Sequence, residues 1–375
     1  MANNWYARLL KNIIGRTSND VSSKGELRLK RLEDRRLLNA DFGLAGGILT
    51  LDNFEPGIGV DSTSLTISEG SVNIDGMGGN EDVYLFTLDA GTWNDIGGLA
   101  AAQFDNTGQV LAVDRALFDG TVDLTIDDAN ATMADAQDLA VVVGDALPAA
   151  NLVDFAPMTD ITITNVGTIT QAGADGLAAT SLSVTNAESV TLNDVTNDFD
   201  TFTATTRIGV SLTDADDLNV TGITTNIDDA TDGVGDDASA VSITTGGNLT
   251  VSGAINTTGT AADAQDDNIS FTSGGALSIT AAVNAGQGDV TLQASGDLTQ
   301  SGAGIITASD LSVTQAEATA PAVADPADLD MDMSHDIDLS LANAVDTFTA
   351  SNSLDNGSIT FNNDISLVVG AVTSD

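Results

Sequence analysis

The stretch Ile169 to Val190, ITQAGADGLAATSLSVTNAESV, returns 129 residues later as Leu298 to Thr319, LTQSGAGIITASDLSVTQAEAT. A second pair, Asp200-Thr201-Phe202-Thr203-Ala204 and Asp346-Thr347-Phe348-Thr349-Ala350, is offset by 146, so one block is used twice with a small insertion. Repetition at fixed spacing predicts stacked units, and stacked units build an extended surface rather than one closed site.

Within the block the side chains alternate. Ile161-Thr162-Ile163-Thr164, Leu182-Ser183-Val184-Thr185, Val241-Ser242-Ile243-Thr244 and Ile269-Ser270-Phe271-Thr272 all place an aliphatic or aromatic residue at every second position and a hydroxyl between. Period two is the signature of a strand with one buried face. Gly246-Gly247-Asn248-Leu249 recurs after 28 residues as Gly274-Gly275-Ala276-Leu277, and after 21 more as Ser295-Gly296-Asp297-Leu298. These read as successive coils of a parallel β-helix, each too small to cover its own apolar face. Extra residues such as Asp228 to Ala238 and Thr257 to Asp267 then leave the coils as loops. An antiparallel array of sandwich domains gives a similar alternation.

The expected fold class is therefore all-β: a β-solenoid over 156–375, preceded by a small β-rich, sandwich-like domain over 42–155 and a basic segment over 1–41. In the middle region Ser64-Leu65-Thr66-Ile67, Val72-Asn73-Ile74 and Val83 to Leu88 predict strands, with turn material at Asp75 to Asn80. Met133 to Leu147 fits a helix by its Ala and Leu and a strand by Val141-Val142-Val143.

Charge is divided as unevenly as sequence. Nine of the 11 basic residues and five acids precede residue 42, giving a head of +4, and the rest carries −48 of the total −44. Such a body repels phosphate backbones, which excludes nucleic acid as its partner, and it repels itself unless salt or divalent cations intervene. With no cysteine, disulfides and thiolate chemistry are absent. No apolar run is long enough to predict a transmembrane span.

The head holds Leu27 to Leu38, which can be drawn as a basic amphipathic helix or left as a solvated tail. Its end, Leu32-Glu33-Asp34-Arg35-Arg36-Leu37-Leu38-Asn39-Ala40-Asp41, resembles the Leu-Glu-x-Arg-x-Leu-Leu element near the N-termini of large exported repeat proteins of planctomycete-type bacteria. That resemblance implies a secretion or processing tag carried by Leu32, Glu33, Arg35, Leu37 and Leu38, with cleavage near Ala40. Glu81 to Thr92 is similar to a strand-turn element of non-catalytic β-sandwich modules on secreted bacterial proteins. The repeats, in residues such as Thr245 to Ile255, resemble the β-helical shafts of filamentous-haemagglutinin-like and autotransporter-like surface proteins, which implies a secreted or cell-surface shaft of adhesive or structural role.

Candidate chemistry is sparse. His335 is the only histidine; without a second imidazole or a thiolate, zinc would need unusual ligands, and a solvated strand face is the plainer reading. Asp228, Asp229, Asp232, Asp236 and Asp237 have the carboxylate and glycine density of a calcium loop, but Ala230 and Ser239 stand where an EF-hand needs ligands. They are carried forward as a low-specificity calcium candidate. The rival class is a carbohydrate-active β-helix enzyme hydrolysing polysaccharide with inversion, since paired carboxylates suffice for it. Lyase chemistry needs a basic residue, and the repeats offer only Arg207. The favoured expectation is a non-catalytic shaft whose partner is an extracellular polymer, a cell surface or a second copy. The last residues, Leu367 to Asp375, fall within the second copy of the block with no amphipathic cap after them, so a longer protein or a covered end is expected.

Overall fold

The computed structural model describes residues 39–52, 54, 63–74, 79–101, 103–118, 122–128, 139–144, 152–155, 159–225, 240–258, 267–315, 335–353 and 357–374. Among these residues there are 27 strands and one short 3₁₀ turn, Arg115–Phe118, and every strand belongs to one continuous hydrogen-bonded system. The all-β solenoid expected from the repeats and the period-two pattern is the fold observed.

The N-terminal part contains β1 (Asn39–Ala45), β2 (Ile48–Asp52), β3 (Ser64–Val72), β4 (Glu81–Leu88), β5 (Thr92–Gly97), β6 (Phe104–Asn106), β7 (Val110–Asp114), β8 (Asp123–Asp127) and β9 (Ala140–Val143). Here pairing is mixed. β1 runs antiparallel to β2, and β3, β4, β7 and β6 pair antiparallel in that order. Yet β2 pairs parallel with β8 and β3 parallel with β9, which are the first rungs of the solenoid.

Next come β10 (Leu152–Asp154), β11 (Asp160–Thr164), β12 (Thr168–Gln171), β13 (Gly176–Leu192), β14 (Asp198–Asp214) and β15 (Leu218–Thr224). β8 stacks on β11 and β9 on β12. Parallel pairing therefore passes from β2 and β3 through β8 and β9 to β11 and β12, so these four strands of the region expected over 42–155 belong to the same stack. Asn39, Ala40 and Asp41, at the end of the expected basic segment, already form β1. β9 supplies the strand reading of Val141-Val142-Val143, because Val141 and Val143 are inward rungs.

The remaining strands are β16 (Val241–Thr245), β17 (Leu249–Val251), β18 (Ile255–Asn256), β19 (Ile269–Ser273), β20 (Leu277–Ile279), β21 (Val283–Asn284), β22 (Val290–Ala294), β23 (Leu298–Gln300), β24 (Ile306–Gln315), β25 (Ile337–Asn352), β26 (Ile359–Asn363) and β27 (Val368–Ser374). They come three to a coil: β16, β17 and β18 stack on β19, β20 and β21, which stack on β22, β23 and β24. All these pairs are parallel, which removes the antiparallel sandwich array from consideration. Stacked residues are 20 to 22 apart in sequence from Ser181 to Thr201, Val290 to Leu311 and Ile337 to Ile359, and 28, 31 and 37 apart where a loop is inserted, from Val241 to Ile269, Val210 to Val241 and Leu311 to Phe348.

Stacking makes columns. Ile169, Val190, Val210, Val241, Ile269, Val290 and Leu311 lie in one inward column, all within 2% of complete burial. Each such side chain contributes ~1.5–3 kcal/mol relative to leaving it in water. The glycine turns follow from coil spacing: a Cβ on Gly274 would sit 2.2 Å from the Gly246 carbonyl oxygen one coil below.

The two copies of the sequence block are out of phase in space. Ile169 corresponds in sequence to Leu298, and Leu182 to Leu311. In the fold, however, Ile169 shares its column with Leu311, while Leu298 stacks between Leu277 and Ile337. The second copy starts one strand position further round the coil. A strand-turn-strand unit with period-two alternation can thus be seated on different sides of the same stack. The growth of the offset from 129 to 146 falls between β24 and β25, around residues 316–334, which lie outside the described residues.

Candidate functional surface

Aspartate and asparagine begin many of the outward features, and their positions explain much of the charge. At one corner the Asn248 N–H donates to Asp217 Oδ1 at 2.6 Å, and the Ala276 N–H to Asn248 Oδ1 at 2.8 Å. Further along the same row the Asp336 N–H donates to Asp297 Oδ1 at 3.1 Å, and the Ser358 N–H to Asp336 Oδ1 at 2.8 Å. A second row links Asn268, Asp289 and Asp310 in the same way. Each side-chain oxygen takes the amide of the coil above it, so a corner donor that has left the ladder is still satisfied. Asn165 and Asn186 form a related step; both adopt positive φ, 56° and 57°, and the Asn186 amide donates to Asn165 Oδ1 at 2.7 Å. Stacked carboxylates repel along such rows at the strand spacing of ~4.8 Å, and the amide bonds offset that repulsion.

Between the acidic rows the outer face is neutral. Thr170, Thr191, Ser211, Ser242, Ser270, Thr291, Ser312 and Thr349 form one outward column. Two residues further along each strand, Thr213, Thr244, Thr272, Gln293, Thr314 and Ser351 form the next. The two columns present donors and acceptors on a grid of ~4.8 Å between coils and ~6.7 Å along the strand. Chemically this surface can hydrogen-bond a partner at many equivalent places.

Several carboxylates are perturbed. Asp214 is 2% exposed at a corner, where Oδ2 accepts the Phe199 N–H at 2.9 Å and Oδ1 the Asp216 N–H at 3.3 Å. Burial pushes its pKa up to about 7 against those two amides, with Asp216 and Asp198 adding repulsion. Asp198 is raised by burial and then by Asp216 and Asp200, and Asp52 by burial and then by Asp41 and Asp127. Asp336 is lowered by the backbone and hydroxyl of Ser358. With both oxygens of Asp214 on backbone amides, its arrangement holds a corner.

Arg115 makes a clasp that sequence reading did not single out. Its guanidinium meets Glu69 at 3.1 Å and Asp154 at 2.8 Å and lies over the Tyr84 ring, tying β3, β4 and β10 together. The Tyr84 hydroxyl donates to the Asp154 carbonyl, and the ring stacks on Phe155. No spacing rule in the sequence joins residues so far apart.

A second unforeseen feature occurs twice. Gln171 Nε2 donates to the Asp175 carbonyl at 2.9 Å and to Asn197 Oδ1 at 2.6 Å, and Asn197 Oδ1 also takes the Leu177 N–H. Gln300 Nε2 donates to the Gly304 carbonyl at 2.6 Å and to Asn343 Oδ1 at 2.7 Å, and Asn343 Oδ1 takes the Ile306 N–H. Asn197 and Asn343 are fully buried. The two clusters sit at corresponding places of the two copies, and the polar pair inside an aliphatic column is repeated with its bonds. The signal was present in the sequence, since Ile169-Thr170-Gln171 matches Leu298-Thr299-Gln300.

The sequence-derived site residues are scattered. Asp228, Asp229, Asp232, Asp236 and Asp237 lie outside the described residues, as do Leu32, Glu33, Arg35, Leu37 and Leu38. Ala40 is buried in β1 opposite Trp93. His335 Nδ1 is 3.4 Å from Asp297 Oδ1, next to Ile337 and Leu339 pointing inward. Among the described residues no group of three or more histidine, aspartate or glutamate side chains is placed to hold a metal ion, and no helix is long and apolar enough to cross a membrane. Both Thr257 and Asp267 are buried, and the Thr257 hydroxyl donates to the Asp267 carbonyl at 2.9 Å, so that insertion leaves and rejoins the stack at one point.

No protein-family model, no curated protein and no solved structure matches this chain.

Proposed function

We propose that this chain is a secreted or cell-surface, non-catalytic structural or adhesive shaft that meets an extracellular polymer or cell surface along its length. The observation that carries the reading is the pair of neutral hydroxyl columns, repeated from coil to coil between acidic rows. A repeating grid suits a repeating partner, and many weak equivalent hydrogen bonds add through effective concentration rather than through one strong contact. The acidic rows favour a saline exterior, where screening acts over ~8–10 Å. The division of charge, a basic head before an acidic body, supports export of the body.

Mild proteolysis of intact cells of the source organism, with mass spectrometry of released and retained peptides, tests this. Release of peptides from the acidic body is the expected result. Retention of every body peptide inside cells that stay intact would overturn the reading. A purified chain that released reducing ends from a polysaccharide would instead establish the hydrolase alternative.

A further inference from the structure

Hydroxyl side chains do two different jobs in this molecule. At the corners they serve the fold: Thr245 donates to the Gly247 carbonyl at 3.0 Å, Ser273 to that of Ala276 at 2.9 Å and Thr280 to that of Val251 at 3.1 Å. On the outer face of β16, β19, β22 and β24 they do not. From Ser242 and Thr244 to Ser312 and Thr314 none of the side chains in the two outward columns is buried, and among the described residues none makes a hydrogen bond within the chain. These four strands stack without a register shift, so the free groups stay in two straight columns.

The setting restricts what this face can hold. One border is the row of Asn268, Asp289 and Asp310, and the other is the row through Asp217, Asn248 and Asp297. An anionic polymer laid between them comes within a screening length, ~8–10 Å, of both rows and is repelled. No outward position of either column is apolar or aromatic, so a lipid or the anchor residue of a protein partner has nothing to enter. Across the face there are only two columns, ~6.7 Å apart, before a corner intervenes. Along the axis, Ser211 to Thr349 covers five steps of ~4.8 Å, or ~24 Å. A partner that fits is long, thin and straight, carries no charge, and brings its own hydrogen-bond donors and acceptors. The neighbouring face is narrower: β15, β17, β20 and β23 present one outward column, Asn219, Thr250, Ser278 and Thr299, and Asp338 of β25 puts a carboxylate at its end.

We infer that the two-column face of β16, β19, β22 and β24 binds an extended, uncharged, β-1,4-linked glycan lying parallel to the shaft axis. The inference rests on the proposed reading of the chain as a shaft that meets an extracellular polymer, and it names the chemistry of that polymer. With no aromatic platform each sugar is held weakly, and binding builds with the number of coils engaged.

Native electrophoresis of purified chain 1–375 tests this, in gels containing glucomannan or hydroxyethyl cellulose, which are uncharged, or carboxymethyl cellulose, which is anionic. The neutral polymers are expected to retard the chain and the anionic one to leave it unretarded. Short oligosaccharides of the same backbones should compete ~100-fold less well by mass. Thr272→Glu with Thr291→Glu should abolish the retardation, whereas Thr250→Glu with Ser278→Glu, the same charge on the neighbouring face, should preserve it. Thr272→Val with Thr291→Val keeps the shape, removes only hydroxyls and should weaken binding ~10-fold. All these positions point outward, so each variant should keep the circular dichroism of the wild type. No retardation by either neutral polymer overturns the inference. So does equal retardation by carboxymethyl cellulose, or a Thr272 and Thr291 variant that binds as the wild type or the neighbouring-face variant does. Those results leave display of the shaft to the cell proteolysis experiment: released body peptides without glycan binding would sink this inference and keep that reading.

Discussion

At the N-terminal end Trp93 is wedged among Phe42 and Phe54 at ring separations of 6.3 and 5.9 Å, and its Nε1–H donates to the Phe86 carbonyl. Along the shaft the same job of filling the interior is done mainly by Ile, Val and Leu, with phenylalanines such as Phe271 and the stacked pair Phe348 and Phe361. A rung inside the stack has a similar neighbour on each side, and a largely aliphatic column fills the space between them. A terminal rung has a neighbour on one side only. At the N-terminal end antiparallel strands and large rings cover the first rungs, whereas β27 pairs parallel with β25 and is exposed. A solenoid solves its interior once, by repetition, but each edge needs its own solution.

The sharpest way to break that contrast is inside the shaft. Phe271→Ala should cost ~3–5 kcal/mol, because the column on either side cannot collapse into the space, and a urea titration would show it. Gly274→Ala should cost ~2 kcal/mol or more, since its Cβ meets the Gly246 carbonyl, while Gly79→Ala in the N-terminal hairpin, with nothing near its Cβ, should lie within about 0.5 kcal/mol of wild type. Equal losses from the two would contradict the close stacking of glycine turns. The repeated polar clusters offer an internal comparison: Asn197→Ala and Asn343→Ala should each lose ~1–3 kcal/mol, with similar values, because each strands the corresponding glutamine and an amide. A large difference between them would mean that the clusters are not equivalent.

Smaller effects follow from Asp214. Its folded pKa is raised from 3.8 to about 7, so the fold prefers the protonated acid. That preference is fully present below pH 3.8 and is lost as pH rises through about 7. Asp214→Asn should therefore stabilise the chain by ~2 kcal/mol above pH 7, discounted for partial solvation, and leave it nearly unchanged near pH 4. A variant equally destabilised at both pH values would contradict the raised pKa. Val372→Ala, at an exposed position of β27, should change stability by less than about 0.5 kcal/mol.

Much of the fold is legible in the sequence, because period-two alternation and glycine turns are local. Val241-Ser242-Ile243-Thr244 announces which side chains face in, and Gly246-Gly247 where the chain turns. The phase between the two copies is not local. Nothing in Leu311-Ser312-Val313-Thr314 says that it stacks under the rung of Ile169 rather than that of Leu182; the phase depends on accumulated loop and corner lengths. The pairing of β2 with β8 was hidden for the same reason, since some seventy residues that include β3 to β7 lie between them. The surface was partly legible: hydroxyl columns follow from alternation, but the Asp and Asn rows need the coil register. Arg115, Glu69 and Asp154 come from distant segments, and only the folded chain brings them together.

The claim on which everything rests is that the two blocks form one parallel stack, out of phase by a strand. The chain has no cysteine, so Thr170→Cys with Thr349→Cys gives two spin labels in one outward column, and a pulsed dipolar measurement reads the distance. Seven rungs separate them, and at ~4.8 Å per rung the account predicts a distribution centred near ~34 Å. A centre more than about 10 Å away from that value, or a broad distribution from two independently moving domains, would contradict it.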